Sequence, residues 1–319
     1  MTTDVRPLLV TGAGGGVGGV GASVVTMLRD KGLPVRAMVH RDDARADALR
    51  ATGAEVIVGD LTRPDDVAAA IAGAGRAYFS MSVSPHYLEA AATFATVAVD
   101  TGSLDAIVNM SQMTVAQMTS TSTDESPQQR QHYLAERTFD WSGLPVVHVR
   151  PTVFLENPLF TTAAARSISE SDTLLLPFGD AHTSPISAKD VARVITAIMV
   201  DPREHIGQAY NLTGARSQSL HGIAEEYSAA LGRHIAYTPA PLEEWLSAFQ
   251  RSAELEPHTL RHIATMARLH AAGRYDRATD TVERLTGTPP ETVVEFVTEH
   301  RDLFSGQTAG HKPEHTRSE

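Results

Sequence analysis

Residues 7–22 read Pro7-Leu8-Leu9-Val10-Thr11-Gly12-Ala13-Gly14-Gly15-Gly16-Val17-Gly18-Gly19-Val20-Gly21-Ala22. A short apolar run gives way to glycines at three-residue intervals, Gly12, Gly15, Gly18 and Gly21, and these lead into a helix-forming stretch that ends near Arg29. Glycine turns at positive φ and leaves bare backbone N–H groups facing a ligand, while the helix that follows presents its positive end to the same place. The pattern predicts a strand, a turn and a helix built to hold a pyrophosphate. A second β-like run, Val35–Val39, returns after one helix length, so a dinucleotide is the expected ligand.

Composition narrows the class. With 319 residues the chain can bury a large core without a disulfide or metal staple, and it has no cysteine, which excludes thiol nucleophiles, cysteine zinc sites and iron–sulfur clusters. A formal charge of −11 and the lack of a basic stripe argue against nucleic acid. No run of about eighteen apolar residues occurs and the first six residues do not resemble a signal peptide, so the chain reads as a cytoplasmic protein with no membrane association.

Through the first half, β-branched runs alternate with amphipathic stretches, the signature of a parallel sheet covered on both faces. Strands are expected at Leu8–Thr11, Val35–Val39, Glu55–Val58, Ala77–Ser80, Ala106–Asn109 and Val146–Val149. Helices are expected at Gly19–Lys31, Asp43–Thr52, Pro64–Ala72, Pro85–Thr101 and Gln128–Trp141, the third capped by Thr62. This is an α/β, Rossmann-type doubly wound sheet. After Pro151 the alternation fails, leaving helices near Ala188–Met199, Leu220–Leu231 and Pro257–Ala271 and short strands at Ala209–Leu212 and Ile235–Thr238. The expected division is a nucleotide-binding domain over 1–155, a smaller substrate lobe over 156–304 with some strands returning to the sheet, and a disordered tail over 305–319.

The segment His148-Val149-Arg150-Pro151-Thr152-Val153-Phe154-Leu155-Glu156-Asn157 adds to the glycines, as do Val58-Gly59-Asp60-Leu61-Thr62, Ser142-Gly143-Leu144 and Leu212-Thr213-Gly214. With these marks the chain resembles the NmrA-like branch of the atypical short-chain dehydrogenases/reductases over about residues 7 to 304. That family includes NADPH-dependent quinone, azo-dye and triphenylmethane-dye reductases and members that only sense the dinucleotide. Fold alone does not choose between them.

The resemblance implies a cofactor site made of Gly12, Gly15, Val17, Gly18 and Gly21, with Asp60 and Leu61 along the adenine. Ser80 and Met81 end the fourth strand beside the cofactor, and Pro151, Thr152 and Val153 edge the nicotinamide. His40 and Arg41 follow the second strand, where an arginine suits a 2′-phosphate, so NADP(H) is preferred and NAD(H) is admitted.

The family's Tyr-x-x-x-Lys pair would fall on Gln128 and His132, so the usual proton donor is missing. His132 could act in its place, four residues before Glu136, whose carboxylate would raise its pKa or fix its tautomer; it could equally bind ribose or brace the helix. By the same resemblance Ser111 stands where an active-site hydroxyl is common, with Thr114 as the alternative, unless Ser111 only satisfies nearby backbone, and Tyr133 is either a donor or a packing residue. Met113, Phe154, Asn157 and Phe160, with Met81 and Met118, are expected to face an aromatic or conjugated substrate. His258 and His262 stand one helical turn apart without a third ligand, so no metal site is expected. The expected activity is hydride transfer from NAD(P)H to a quinone-, azo-, enone- or imine-like acceptor, the alternative being an NAD(P)-sensing regulator without turnover. A homodimer is compatible with the sequence.

Overall fold

The computed structural model describes residues 6–15, 18–252 and 255–305; the 306–319 part of the tail expectation and Val17 lie outside the described residues. The strands are β1 Leu8–Val10, β2 Val35–Val39, β3 Glu55–Val58, β4 Arg76–Phe79, β5 Ala106–Met110 and β6 Val146–Pro151, followed by β7 Thr173–Leu176, β8 His182–Thr183, β9 Ala209–Leu212, β10 Gln218–Ser219 and β11 Ala236–Pro239. The helices of the first half are α1 Val20–Asp30, α2 Ala44–Ala51, α3 Pro64–Ile71, α4 Tyr87–Thr101 and α5 Pro127–Trp141. Those of the second half are α6 Ala165–Ser171, α7 Ala188–Val200, α8 Leu220–Leu231, α9 Leu242–Ser252, α10 Pro257–Ala271, α11 Thr281–Thr286 and α12 Val293–Glu299.

Seven strands make one parallel sheet in the order β3-β2-β1-β4-β5-β6-β9, so the chain reverses direction across the sheet between β1 and β4. A right-handed crossover demands this alternation of strand and helix, and ligands in such sheets sit beyond the carboxyl ends of the strands at the reversal. Side chains alternate between the two faces. Leu8 and Val10 point to one layer, with Val24, Val25 and Leu28 of α1 and Val191, Ile195 and Ile198 of α7. Leu9 points to the other, with Phe79, Ile107, Phe94 and Phe139. Phe79 packs its ring at 5.1 Å from Phe94 and 5.4 Å from Phe139, and truncating any of the three to alanine would cost about 3–5 kcal/mol.

A separate apolar cluster fills the C-terminal lobe around Phe160, Phe178, Tyr227, Phe296 and Phe304. β11 pairs in parallel with β7, and β10 with β8 in antiparallel, forming two small sheets there. α9, α11 and α12, the 3₁₀ turn Met113–Gln117 and the π-turn Leu159–Ala164 have no counterpart among the elements read from sequence. The π-turn is held where the Thr161 hydroxyl donates to the carbonyls of Glu156 and Asn157, which interrupts the regular helical ladder. Thr62 does not cap α3. Arg63 occupies the cap position without a side-chain bond, because the Thr62 hydroxyl donates 2.8 Å to the Asp60 carboxylate instead. No helix among the described residues is long and apolar enough to cross a membrane.

Candidate functional site

The ends of β1 and β4 are pinned to each other across the reversal point. The Thr11 hydroxyl donates to the Ser80 carbonyl at 2.9 Å and accepts from the Ser80 N–H at 2.9 Å. Gly12 then turns at φ +65, and a Cβ there would lie 2.7 Å from the Ser80 carbonyl oxygen. A Cβ on Gly21, in the first turn of α1, would lie 2.8 Å from the Gly12 carbonyl oxygen and 2.9 Å from the Ala13 Cα. The loop and the helix therefore meet backbone to backbone, which is the bare cradle a diphosphate requires.

Gly12, Gly15 and Gly21 line the clefts at this point. Gly18 does not: its absent Cβ would meet the Ala188 Cβ at 2.5 Å, so its smallness serves the packing of α7 and not the cradle.

Two clefts share Gly12, Gly15, Met81 and Ser82 and so form one trough over the carboxyl ends of the strands. The first, about 670 Å³, lies beside β2 and β3 and is lined by His40, Arg41, Arg45, Asp60, Leu61 and Met81, among others. Its acids are already engaged. Glu89 lies 3.0 Å from His86 Nδ1, and Asp43 caps α2 by accepting from the Arg45 N–H while its carboxylate binds the Arg45 guanidinium. The Arg45 side chain and the Arg45 N–H hold the Asp43 carboxyl down at about 2. The Asp60 carboxylate accepts from the Thr62 N–H and hydroxyl and lies 3.8 Å from His40 Nε2. Arg41 makes no ion pair among the described residues, so one guanidinium and one imidazole are left to face a ligand at the end of β2.

The second cleft, about 430 Å³, runs from Gly12 and Ser80 past Ser111, Met113, His132, Pro151, Thr152, Val153, Phe154 and Asn157. Its far wall is a surprise to sequence reasoning: Thr259, His262, Ile263 and Met266 of α10, with Tyr275. Of the residues in this lining, Gln112 Nε2 and Thr152 Oγ1 are buried without a hydrogen-bond partner among the described residues, and Ser111 Oγ has only the nearby Glu136 carboxylate. Unpaired buried polar atoms are costly, and such groups fit a polar ligand group such as a carboxamide.

Three expected site residues lie elsewhere. Phe160 is fully buried in the C-terminal core with its ring 6.5 Å from Phe178, because the π-turn rotates it away from the cleft. Tyr133 is absent from the cleft lining and lies under the Arg137 guanidinium, which is 5.7 Å from its ring centre. Met118 is buried outside the lining.

His132 does line the cleft, but Glu136 is not its hydrogen-bond partner. The Glu136 carboxylate, fully buried, accepts two bonds from the Arg150 guanidinium at 2.8 and 2.5 Å and makes none with His132. Gln128, standing in the tyrosine's place, sets the imidazole instead. Its Oε1 accepts from the Ser84 N–H at 3.1 Å and lies 2.8 Å from His258 Nε2, which fixes the amide's orientation. Gln128 Nε2 must then donate to His132 Nε2 at 3.2 Å, which leaves the His132 proton on Nδ1, a buried atom without a hydrogen-bond partner. Burial, reinforced by nearby His262 and opposed by Glu136 and the Met110 carbonyl, brings the His132 pKa down to about 3. The imidazole is neutral near pH 7, and its one proton is sealed away from the cleft.

Ser126 opens α5 with a capping box: its Oγ accepts from the Gln129 N–H at 3.2 Å, and Gln129 Oε1 accepts from the Ser126 N–H at 2.9 Å. The same Oγ lies 2.8 Å from His262 Nδ1. His258 and His262 thus touch Gln128 and Ser126 respectively, not each other's ligand.

Residues 15–202 match the NAD(P)H-binding family model. The NAD(P)H azoreductase of Xenophilus azovorans is 30% identical over 91% of this chain and 97% of that protein. The triphenylmethane reductase of a Citrobacter species, solved with NADP(H), superposes with a TM-score of 0.77 at 20% identity, covering 92% of this chain and 99% of that one. NmrA, a negative transcriptional regulator solved with NADP, superposes equally well, with a TM-score of 0.77 at 17% identity, covering 96% of this chain and 99% of that one. At those identities the two superpositions establish shared architecture and nothing about chemistry.

Proposed function

The chain belongs to the NAD(P)H-binding family, and we propose that it is a reductase of the NmrA-like branch that uses NADPH to reduce a flat, conjugated acceptor. The observation that carries this reading is the continuous trough: a glycine cradle in the middle, a pocket holding the Arg41 guanidinium, unpaired among the described residues, on one side, and on the other a methionine-lined cleft with buried unpaired polar atoms in its lining residues. Bound NADPH would supply a hydride within the second cleft, where Ser111, Thr152 and Val153 line the wall beyond the glycine cradle.

The chain's own residues do the rest. Gly12, Gly15 and Gly21 leave room for the diphosphate, and Arg41 with His40 favours a 2′-phosphate over a bare ribose hydroxyl. Ser111, Gln112 and Thr152 would hold the nicotinamide amide, while Met81, Met113, Phe154 and Met266 offer an adaptable apolar surface to a planar acceptor. With Gln128 in the tyrosine's place and the His132 proton sealed, no strong acid faces this cleft from α5. Acceptors that are already electron-poor, such as quinones, azo compounds and conjugated cations, need none, since solvent can protonate the product. The azoreductase relative supports that substrate class.

The test is direct. Purified protein is titrated with NADPH and NADH, then mixed with NADPH and a panel of menadione, an azo dye and malachite green. Saturable binding tighter for NADPH, with acceptor-dependent loss of NADPH absorbance, is expected. Saturable binding with no turnover on any acceptor would overturn the reductase reading in favour of a sensor.

A further inference from the structure

The α10 wall of the cleft carries a polar group that the reductase reading has not used. His262 lines the cleft and is 8% exposed. Its Nδ1 faces the Ser126 Oγ at 2.8 Å, and that oxygen already accepts from the Gln129 N–H as the cap of α5. A hydroxyl has one proton to give, and His262 Nδ1 is the acceptor placed to receive it. The imidazole proton therefore sits on Nε2. That nitrogen makes no hydrogen bond within the described residues and, unlike His132 Nδ1, is not among the sealed polar atoms.

Burial, helped by neighbouring His258, holds the His262 pKa down at about 4, so the ring is a neutral donor near pH 7. Thr259 lies one turn earlier on α10, and Ile263 and Met266, which follow, give this N–H apolar neighbours on the same wall. A polar tip beside apolar groups is an arrangement that orients a ligand.

We infer that the Nε2–H of His262 donates a hydrogen bond to the carbonyl oxygen of a conjugated substrate, a role that rests on the reductase reading for its chemistry but not for the contact itself. When such an acceptor takes a hydride at carbon, its π electron pair moves onto that oxygen. The negative oxygen then meets a donor already aimed at it, NADPH leaves as NADP⁺, and water supplies the proton. His262 stabilises the developing charge as a neutral electrophile and does not itself lose the proton. Ser126 acts through it, as a positioning residue.

The variant pair H262N and H262Q separates this role from packing. Asparagine reaches only the Nδ1 position, so the contact to Ser126 survives and the cleft-facing donor is lost; glutamine places an amide N–H near the lost Nε2. The expected result is that H262N lowers the ratio of kcat/KM for menadione to that for malachite green, whose acceptor is a carbon with no oxygen, by about tenfold or more, and that H262Q recovers part of it. Equal losses on both acceptors, or none, would overturn the inference.

A second readout needs no turnover. In the complex with NADP⁺, the infrared C=O stretch of menadione is expected at lower frequency with the wild type than with H262N, and equal frequencies, or no bound menadione, would overturn the inference. If the wild type oxidises no NADPH with any acceptor, the reductase reading fails while the infrared comparison still decides the hydrogen bond.

Discussion

Two glycines that look alike in sequence predict opposite outcomes when substituted. A methyl group on Gly21 would strike the backbone of Gly12 and Ala13 at 2.8–2.9 Å, and backbone cannot rotate aside, so Gly21→Ala should push the loop out of register. NADPH should then bind at least about tenfold more weakly in a fluorescence titration, roughly 1.4 kcal/mol. Gly19, unlike Gly21, is left-handed, at φ +57, and a Cβ there meets nothing within 4 Å. Gly19→Ala should cost about 1–2 kcal/mol of stability through backbone strain and leave NADPH affinity at the wild-type value. If the two substitutions weaken binding equally, the cradle is not where the structure puts it. Glu136 gives a second residue-scale test. Burial would raise its pKa, but the Arg150 guanidinium, with help from His148, outweighs it and holds the carboxyl below its usual range. Glu136→Gln would strand a buried guanidinium, and chemical denaturation should show a loss of about 3–5 kcal/mol. The spacing of His132 and Glu136 on one helical face suggested that they pair. The partner that wins, Arg150, arrives across β6, fourteen residues on, where helical periodicity gives no signal.

At the scale of elements, α5 and α10 are joined where the cap of one meets the face of the other, and that joint can be tested against an ordinary cap. Ser126 and Ser219 both accept from the third N–H of their helices, α5 and α8. Replacing either by alanine should cost about 0.5–2 kcal/mol, read from urea midpoints. Only Ser126→Ala also frees His262 Nδ1, so only it should lower the menadione-to-malachite-green ratio; an equal drop in Ser219→Ala would mean that the ratio reports stability alone. Most elements of the first half were legible because the inner strands are apolar runs buried on both faces, as β2 is, while the half-exposed edge strand β3 was legible from its β-branched Val56-Ile57-Val58. The wall formed by α10 was legible as a helix but not as part of the site. Its histidines sit one turn apart, which reads as a ligand pair, and their actual partners lie 130 and 136 residues away along the chain. Gln128 shows the same limit: in sequence it marks only a lost tyrosine, whereas in the fold it is the hub that orders His258 and His132.

Over the whole molecule, the buried histidines set how stability responds to acid. Burial holds His132 and His270 at about 3 and His262 at about 4, against an ordinary value near 6.5. Below that ordinary value the unfolded chain takes up protons that the folded chain refuses, so each of the three removes stability as pH falls from about 6.5 toward its folded value. Glu156 works the other way. Burial, against the pull of the Ala188 N–H, raises it to about 7, so the folded chain holds a proton there that the unfolded chain releases until pH falls to about 4.5, and Glu291 is shifted in the same sense. Between pH 6 and 5 the histidines outnumber the acids, and unfolding should take up a net one to two protons. Each net proton corresponds to about 1.4 kcal/mol per pH unit, so urea midpoints should fall steadily over that range, before the paired carboxylates begin to titrate. His270 isolates the cause. It is stacked on Tyr275 at 3.7 Å and on Phe178 at 4.1 Å and does not line the trough. His270→Phe keeps a ring in that stack and removes one titrating group, so its stability should fall less steeply with acid than the wild type's, whatever it does to stability at pH 7. A wild-type stability that is flat or rises from pH 6 to 5, or a slope that H270F leaves unchanged, would mean that these rings do not stay neutral in the fold, and the donor assigned to His262 would lose its protonation state with them.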